Sequence, residues 1–138
     1  FELKKRRREA VDYFADLLSP LGSANCVVVR VPGHDPSKTT GVEMLADELE
    51  RRYGLENASS CLIRVKKVKS QKFNHDKDVG KIMKSLTLRN PSRLEGRDVL
   101  LLDDVATSWT TMMASLSVIN GSDPHDVLQF ALGRTDGD

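Results

Sequence analysis

Cysteine is scarce in these 138 residues: there are only two, Cys26 and Cys61, and each opens a stretch that reads as a β-strand. Thiols placed at the head of buried strands point to reduced core cysteines rather than to a disulfide framework. A cytoplasmic location is the corresponding expectation. Long apolar runs are also missing. Stretches such as residues 26–29 and 99–102 fall far short of the ~20 residues that a membrane span requires. No basic segment followed by an apolar stretch and a cleavage site marks a secretory leader. The chain begins with Phe1 rather than Met, so an origin as an excised domain of a longer protein is one expectation. Net charge is only +1, and no overall basic excess advertises nucleic acid. The three histidines, His34, His75 and His125, are too scattered to argue a metal cluster and read as isolated surface residues. Neither an internal repeat nor a low-complexity linker interrupts the chain.

What is present is the composition of a globular domain, with 39% hydrophobic and 30% charged residues. The length suits a single compact domain, here residues 1–138, with an N-terminal helix at 1–19 and a core at 20–138. Basic residues gather in two places, "LKKRRRE" at the start and "RVKKVKSQK" at residues 64–72. Each is open to two readings: a solvated face, or a surface that meets anions.

Periodicity supplies the elements. Ala10, Val11, Phe14, Leu17 and Leu18 recur at helical spacing, which predicts an amphipathic helix over residues 2–18, ended by "SPLG". "CVVVRVP" is a β-branched run and predicts a buried strand. "TTGVEMLADELERRYG" predicts a helix, with Thr40 and Glu43 as a capping box, Val42, Leu45, Ala46 and Leu49 as its stripe, and Gly54 as its stop. "CLIRVKKV" reads as a second strand. Asp76 is placed to cap a short helix carrying Val79, Ile82, Met83 and Leu86. "NPSRLEG" is a break, and "DVLLLDD" is a third strand. Residues 110–119 read as a helix ending at Asn120-Gly121, followed by a last strand, "DVLQFALGR". Strands that are nearly continuous apolar runs, alternating with helices, predict an α/β domain. Its sheet should be doubly wound and mainly parallel, with helices on both faces.

In open α/β sheets ligands bind beyond the carboxyl ends of the strands. "DVLLLDDVATSWTT" places two adjacent acids, Asp103 and Asp104, at such an end. Adjacent carboxylates repel and lose hydration, so hydroxyls, a cation or basic side chains should compensate them. The loop behind them, Ala106 to Thr111, leads into a helix whose free N–H groups and positive dipole end form an anion cradle. Thr107, Ser108, Thr110 and Thr111 add hydroxyls. Acids for sugar hydroxyls or a cation, beside a cradle for phosphate, suggest a sugar-phosphate ligand. The competing reading is a capped helix beside two solvated acids.

"VLLLDDVATSWTTM" resembles the phosphoribosyl pyrophosphate (PRPP) signature of the type I phosphoribosyltransferases. That signature runs four hydrophobics, two acids, a hydrophobic, any residue, Thr, Thr or Ser, Gly, any residue, Thr. Asp103, Asp104, Val105, Thr107, Ser108 and Thr111 match it, while Trp109 stands where it has glycine. The segments "VVVRVPGH", "TTGVEMLADELERRYG", "VKSQKF" and "DVLQFALGRT" are similar in order to the remaining parts of that family. The likeness is greatest to its ComF-like branch and covers about residues 20–135.

The resemblance implies transfer of phosphoribosyl from PRPP to a nitrogen nucleophile with release of pyrophosphate, Mg²⁺ being held through PRPP rather than by dedicated protein ligands. It implies that Asp103 and Asp104 hold the ribose hydroxyls and serve as catalytic residues. It assigns Val105, Ala106, Thr107, Ser108, Trp109, Thr110 and Thr111 to the 5′-phosphate. Pro32, Gly33, His34 and Lys38 go to a pyrophosphate loop, and Lys66, Lys67, Lys69, Gln71 and Lys72 to a lid over pyrophosphate. The acceptor is not identified by the sequence, and a homodimer or a fusion partner is a further expectation.

Rival readings are weaker in chemistry. "PGHDPSKTT" lacks the glycine that a P-loop needs directly before its lysine, since Ser37 stands there, and Pro32 replaces the first glycine. Binding of nucleic acid through the N-terminal basic helix lacks interleaved aromatics. A non-catalytic PRPP- or nucleotide-sensing module, fused to or partnered with other machinery, is the alternative that Trp109 favours.

Overall fold

The structure is a computed structural model. It describes the backbone of residues 2–23, 26–32, 41–65, 75–106 and 110–134, and the side chains of 8–21, 26–32, 41–65, 79–104 and 110–132. Helix α1 spans Glu2–Leu17, and a 3₁₀ turn at Ser19–Ser23 leads to strand β1, Cys26–Arg30. Helix α2 (Gly41–Tyr53) is followed by a two-residue strand β2 (Glu56–Asn57), then β3 (Leu62–Arg64), α3 (His75–Lys84) and β4 (Leu86–Leu88). Strand β5 is Asp98–Ala106, α4 is Thr110–Asn120, and β6 is Asp126–Arg134.

A four-stranded sheet in the order β2-β1-β5-β6 is parallel throughout. Alternation along β1 and β5 sends their apolar side chains to two different layers. Val27, Val29, Val31, Val99 and Leu101 pack with Ile82, Met112, Ala114 and Ile119 of α3 and α4. Val28, Leu100 and Leu102 pack with Val11 and Ala15 of α1 and with Val42, Leu45, Ala46 and Leu49 of α2. Leu100, Leu101 and Leu102 are each 1% exposed or less, so neither face of β5 is free. Each leucine buried this way contributes about 1.5–3 kcal/mol. The expected parallel sheet with helices on both faces is present, and both cysteines are buried and free.

Helix α1 is bound to α2 by charge as well as by packing. Glu48 is 3% exposed and accepts hydrogen bonds from Arg8, Arg51 and Arg52, the last at 2.6 Å from Nε. Hydrogen bonding, chiefly from Arg51, holds its carboxyl down at about 2 against the opposing effect of burial. Tyr53 Oη donates to the carbonyl of Ala15 at 2.9 Å, and Phe14 meets Phe130 of β6 edge-on at 5.8 Å.

Three local expectations are corrected. The strand expected over "CLIRVKKV" is only Leu62–Arg64, and it lies outside the parallel sheet, paired antiparallel with β4. Glu56–Asn57 takes the place beside β1 instead. Two polar residues carry no apolar periodicity, so pattern reading passes over such a strand. Leu86 belongs to β4 rather than to α3, and Asp76 lies inside α3, which starts at His75. Gly54 does end α2, at φ +68, with its N–H bonded to the Glu50 carbonyl at 2.9 Å. The expected cap at Thr40 falls outside the described residues, whereas Glu43 pairs with Arg30 at 2.9 Å.

Candidate functional site

The apolar run of β5 carries two acids to the carboxyl end of the sheet. Asp103 lies beside Ala131 of β6, and the preceding residue, Leu102, accepts a hydrogen bond from the N–H of Val31 at 2.7 Å. The exit of β1, at Val31 and Pro32, therefore adjoins the acids. Helix α4 begins at Thr110, with three residues between it and the end of β5, and Thr110 is buried. The first turn of an α-helix leaves N–H groups without intrahelical partners and carries the positive end of the dipole. The acids and a helix start thus follow one another at the carboxyl end of β5.

Asp103 is half-buried, and its Oδ1 accepts the N–H of Asp104 at 2.8 Å. Burial is the main cause that pushes its carboxyl up to about 6, with repulsion from Asp104 acting in the same direction and the backbone N–H opposing both. Among the described residues no basic group offsets this charge. A hydroxyl donor or a cation arriving with a ligand would do so. The described residues hold no group of three or more His, Cys, Asp or Glu side chains able to cage a metal. A hard divalent ion carried by a polyphosphate needs only one or two carboxylates. The Asp103–Asp104 pair fits that use.

Arg64, which the sequence places only as the first residue of a basic run, joins this end of the molecule. It closes β3, is 8% exposed, and donates from Nη1 to Ser85 Oγ at 2.6 Å and from Nη2 to the carbonyl of Pro32 at 3.3 Å. Ser85 Oγ in turn donates to the carbonyl of Ile82 at 2.6 Å. The β1 exit is thereby tied to the β3–β4 hairpin and to the end of α3. Desolvation lowers the guanidinium pKa, but arginine stays charged in proteins. A signal was available: Leu62 and Arg64 share one face of a strand, and Leu62 is buried. On the α2 side of the sheet, a polar cavity of about 280 Å³ lies among Arg30, Glu43, Asp47, Asn57 and Ser59.

Of the residues singled out beforehand, Pro32 lies just past β1, Asp103 and Asp104 lie late in β5 with Val105 and Ala106 as its last backbone positions, and Thr110 and Thr111 open α4. Gly33, His34, Lys38, Lys66, Lys67, Lys69, Gln71, Lys72, Thr107, Ser108 and Trp109 lie outside the described residues. His125 is exposed and bonds through Nδ1 to Asp98 Oδ1 at 2.6 Å, at the opposite end of β5 from the acids. Asp98 holds its imidazole pKa up.

Solved structures similar to this chain share its layout. A hypoxanthine phosphoribosyltransferase from Staphylococcus aureus superposes with a TM-score of 0.54 at 12% identity, over 97% of this chain and 69% of its own. The protein TT1426 from Thermus thermophilus gives 0.53 at 21% identity, over 96% and 85%. The hypoxanthine phosphoribosyltransferase of Trypanosoma cruzi gives 0.51 at 12%, over 99% and 75%. The fold is that of the type I phosphoribosyltransferases. No protein-family model matches the sequence, and no curated protein matches it. Within the phosphoribosyltransferase fold Asp103 and Asp104 lie at the carboxyl end of the parallel sheet, where open α/β sheets bind ligands. No helix of the described residues is long and apolar enough to cross a membrane.

Proposed function

We propose that this chain binds PRPP together with Mg²⁺ at the carboxyl end of β5 and transfers its phosphoribosyl group to a nitrogen nucleophile, releasing pyrophosphate. The observation that carries the reading is the Asp103–Asp104 pair near the carboxyl end of β5, which has no basic partner among the described residues and precedes the start of α4 at Thr110. In the reaction the bond from the anomeric carbon to pyrophosphate oxygen breaks and a carbon–nitrogen bond forms. Mg²⁺, when bound, supplies neutralisation of the pyrophosphate charge. Asp103 and Asp104 hold the ribose hydroxyls and face the positive character that develops at the anomeric carbon. Residues 105–111, ending in the first turn of α4, hold the 5′-phosphate. Pro32, Gly33, His34 and Lys38 take the pyrophosphate side, and the segment with Lys66, Lys67, Lys69, Gln71 and Lys72 closes over it and excludes water. The sequence motifs favour the ComF-like branch, residues 1–138 form one domain of that kind, and the reading goes with action in the cytoplasm.

Calorimetry with PRPP and Mg²⁺ tests the reading. Binding is expected for the parent and should disappear in Asp103→Asn/Asp104→Asn while the circular dichroism spectrum is retained. A double variant that binds as well as the parent refutes the role of the acids.

Trp109, in the place of the signature glycine, favours a second reading in which the domain senses PRPP or a nucleotide without turning it over. Glycine suits close backbone approach to phosphate because it has no Cβ. Release of pyrophosphate from PRPP separates the two readings. Trp109→Gly should tighten PRPP binding if the tryptophan weakens the cradle, and should leave it unchanged or weaker if the ring is part of the pocket.

A further inference from the structure

The amino end of the parallel sheet, opposite the Asp103–Asp104 end, carries a second cavity. Cys26, Asp98 and Asp126 stand in register across β1, β5 and β6, and two positions further on stand Val28, Leu100 and Leu128. Register partners in a sheet, and residues two apart along a strand, share a face. These two rows therefore lie on the side that α1 and α2 cover. The cover is incomplete. Val28 and Leu100 are 1% exposed or less, whereas Leu128 in the same row is 53% exposed. A cavity of about 200 Å³ opens here, lined by Leu21 of the 3₁₀ turn and by Cys26, Leu100 and Leu128, with Asp98 and Asp126 at its exposed rim.

The charges at that rim are short of a cation. Asp98 and Asp126 are directly opposed on adjacent strands, which is unfavourable for like charges. Asp98 has His125 as a partner, Nδ1 lying 2.6 Å from its Oδ1. Among the described residues Asp126 makes no contact ion pair, and its Oδ1 accepts only the neighbouring N–H of Val127 at 2.9 Å. Arg97, the nearest base in the chain, is committed to Glu56 at 3.3 Å. Inside the cavity the Cys26 thiol is free, 5% exposed, and hydrogen-bonded only by its own backbone N–H. Burial, reinforced by Asp98, pushes that thiol up and keeps it neutral. A soft metal ion needs the thiolate, and the described residues hold no metal cage. We infer that this cavity binds a small organic cation, a primary ammonium group carried on a compact apolar body. The body covers Leu100 and Leu128, and the ammonium group donates to Asp126 and Asp98. An apolar cavity of about 150 Å³ accepts a benzene ring, so the present one has room for such a ring with a short chain. The inference holds whichever ligand the Asp103–Asp104 end takes.

Probes of one shape and different charge read the site. Phenethylammonium, phenethyl alcohol and phenylacetate are each titrated into the isotope-labelled chain at neutral pH, and amide signals are followed by NMR. The cation should bind with a dissociation constant on the order of 1 mM. Its shifts should centre on Leu21, Cys26 and Leu128. The alcohol should bind severalfold more weakly, and phenylacetate not at all. Asp126→Asn should weaken the cation about fivefold and leave the alcohol unchanged. Because Asp126 is exposed, the variant should otherwise keep the parent's spectrum. A parent that binds cation and alcohol equally overturns the inference, and so does a parent that binds no cation. Cation binding indifferent to Asp126→Asn, or shifts centred away from those three residues, overturns it as well.

Discussion

Replacing Asp103 by asparagine should make the protein more stable at neutral pH. The asparagine carbonyl oxygen can still accept the Asp104 N–H that Asp103 Oδ1 now accepts at 2.8 Å, so the local turn survives and only the buried charge is removed. The Asp103 carboxyl is pushed from its ordinary 3.8 up to about 6. The folded protein therefore holds a proton between those values that the unfolded chain releases. Stability falls as pH climbs through that window, and the penalty is complete above about 6. A displacement of this size is worth about 3 kcal/mol at most. Half-burial and the retained backbone hydrogen bond bring the expected gain to the order of 1–2 kcal/mol. For a domain of this size each kcal/mol moves Tm by roughly 3–5 °C. Scanning calorimetry of parent and variant at neutral pH and at about pH 3.5 separates the causes, because both states of the parent are largely protonated in acid and the difference should all but vanish there. A variant no more stable at neutral pH, or a gain equal at both pH values, would refute burial as the origin of the shift. A group that destabilises its own fold is what a binding site retains for its ligand.

Glu48→Gln should cost about 1–2 kcal/mol near neutrality, discounted because Arg8 and Arg51 are largely exposed. The parent's advantage is fully present above the ordinary 4.5 and should fade as pH falls through about 2, which urea denaturation in acid would follow. Arg64→Met should weaken PRPP binding roughly tenfold, the equivalent of about 1.4 kcal/mol, while ribose 5-phosphate affinity stays near that of the parent. Arg64 donates to the Pro32 carbonyl at the β1 exit, which the proposed reading puts on the pyrophosphate side, and ribose 5-phosphate lacks pyrophosphate. Arg64→Lys should recover part of the loss, and an equal fall for both ligands would reduce Arg64 to fold maintenance.

The shared end of the sheet explains how so dissimilar a sequence keeps the phosphoribosyltransferase layout. The fold needs strands buried on both faces and a helix start behind the third of them. Many aliphatic sequences satisfy that demand, which is consistent with 12–21% identity to the solved structures. The Asp103–Asp104 pair is more exacting. Two acids follow the buried leucines of β5, and their charge has no basic counterpart among the described residues.

The linear order of residues by itself determined the strands that are nearly continuous apolar runs and the helices that carry an apolar stripe. β1, β5 and β6 are such runs, and α2 carries such a stripe. It also carries the proposal for residues 103–111, because the acids, the hydroxyls and the helix start are close together in the chain. Only the tertiary structure decided what depends on partners distant in sequence. Glu56–Asn57 became a strand because β1 offered an unpaired edge, and Leu62–Arg64 left the sheet because β4 offered another. Arg64 reached Pro32 through that hairpin, across 32 positions of chain. That β2 and β6 form the edges of the sheet emerged from the order of strands, which no local period encodes. Periodicity states which face of an element is buried, whereas long-range pairing states against what.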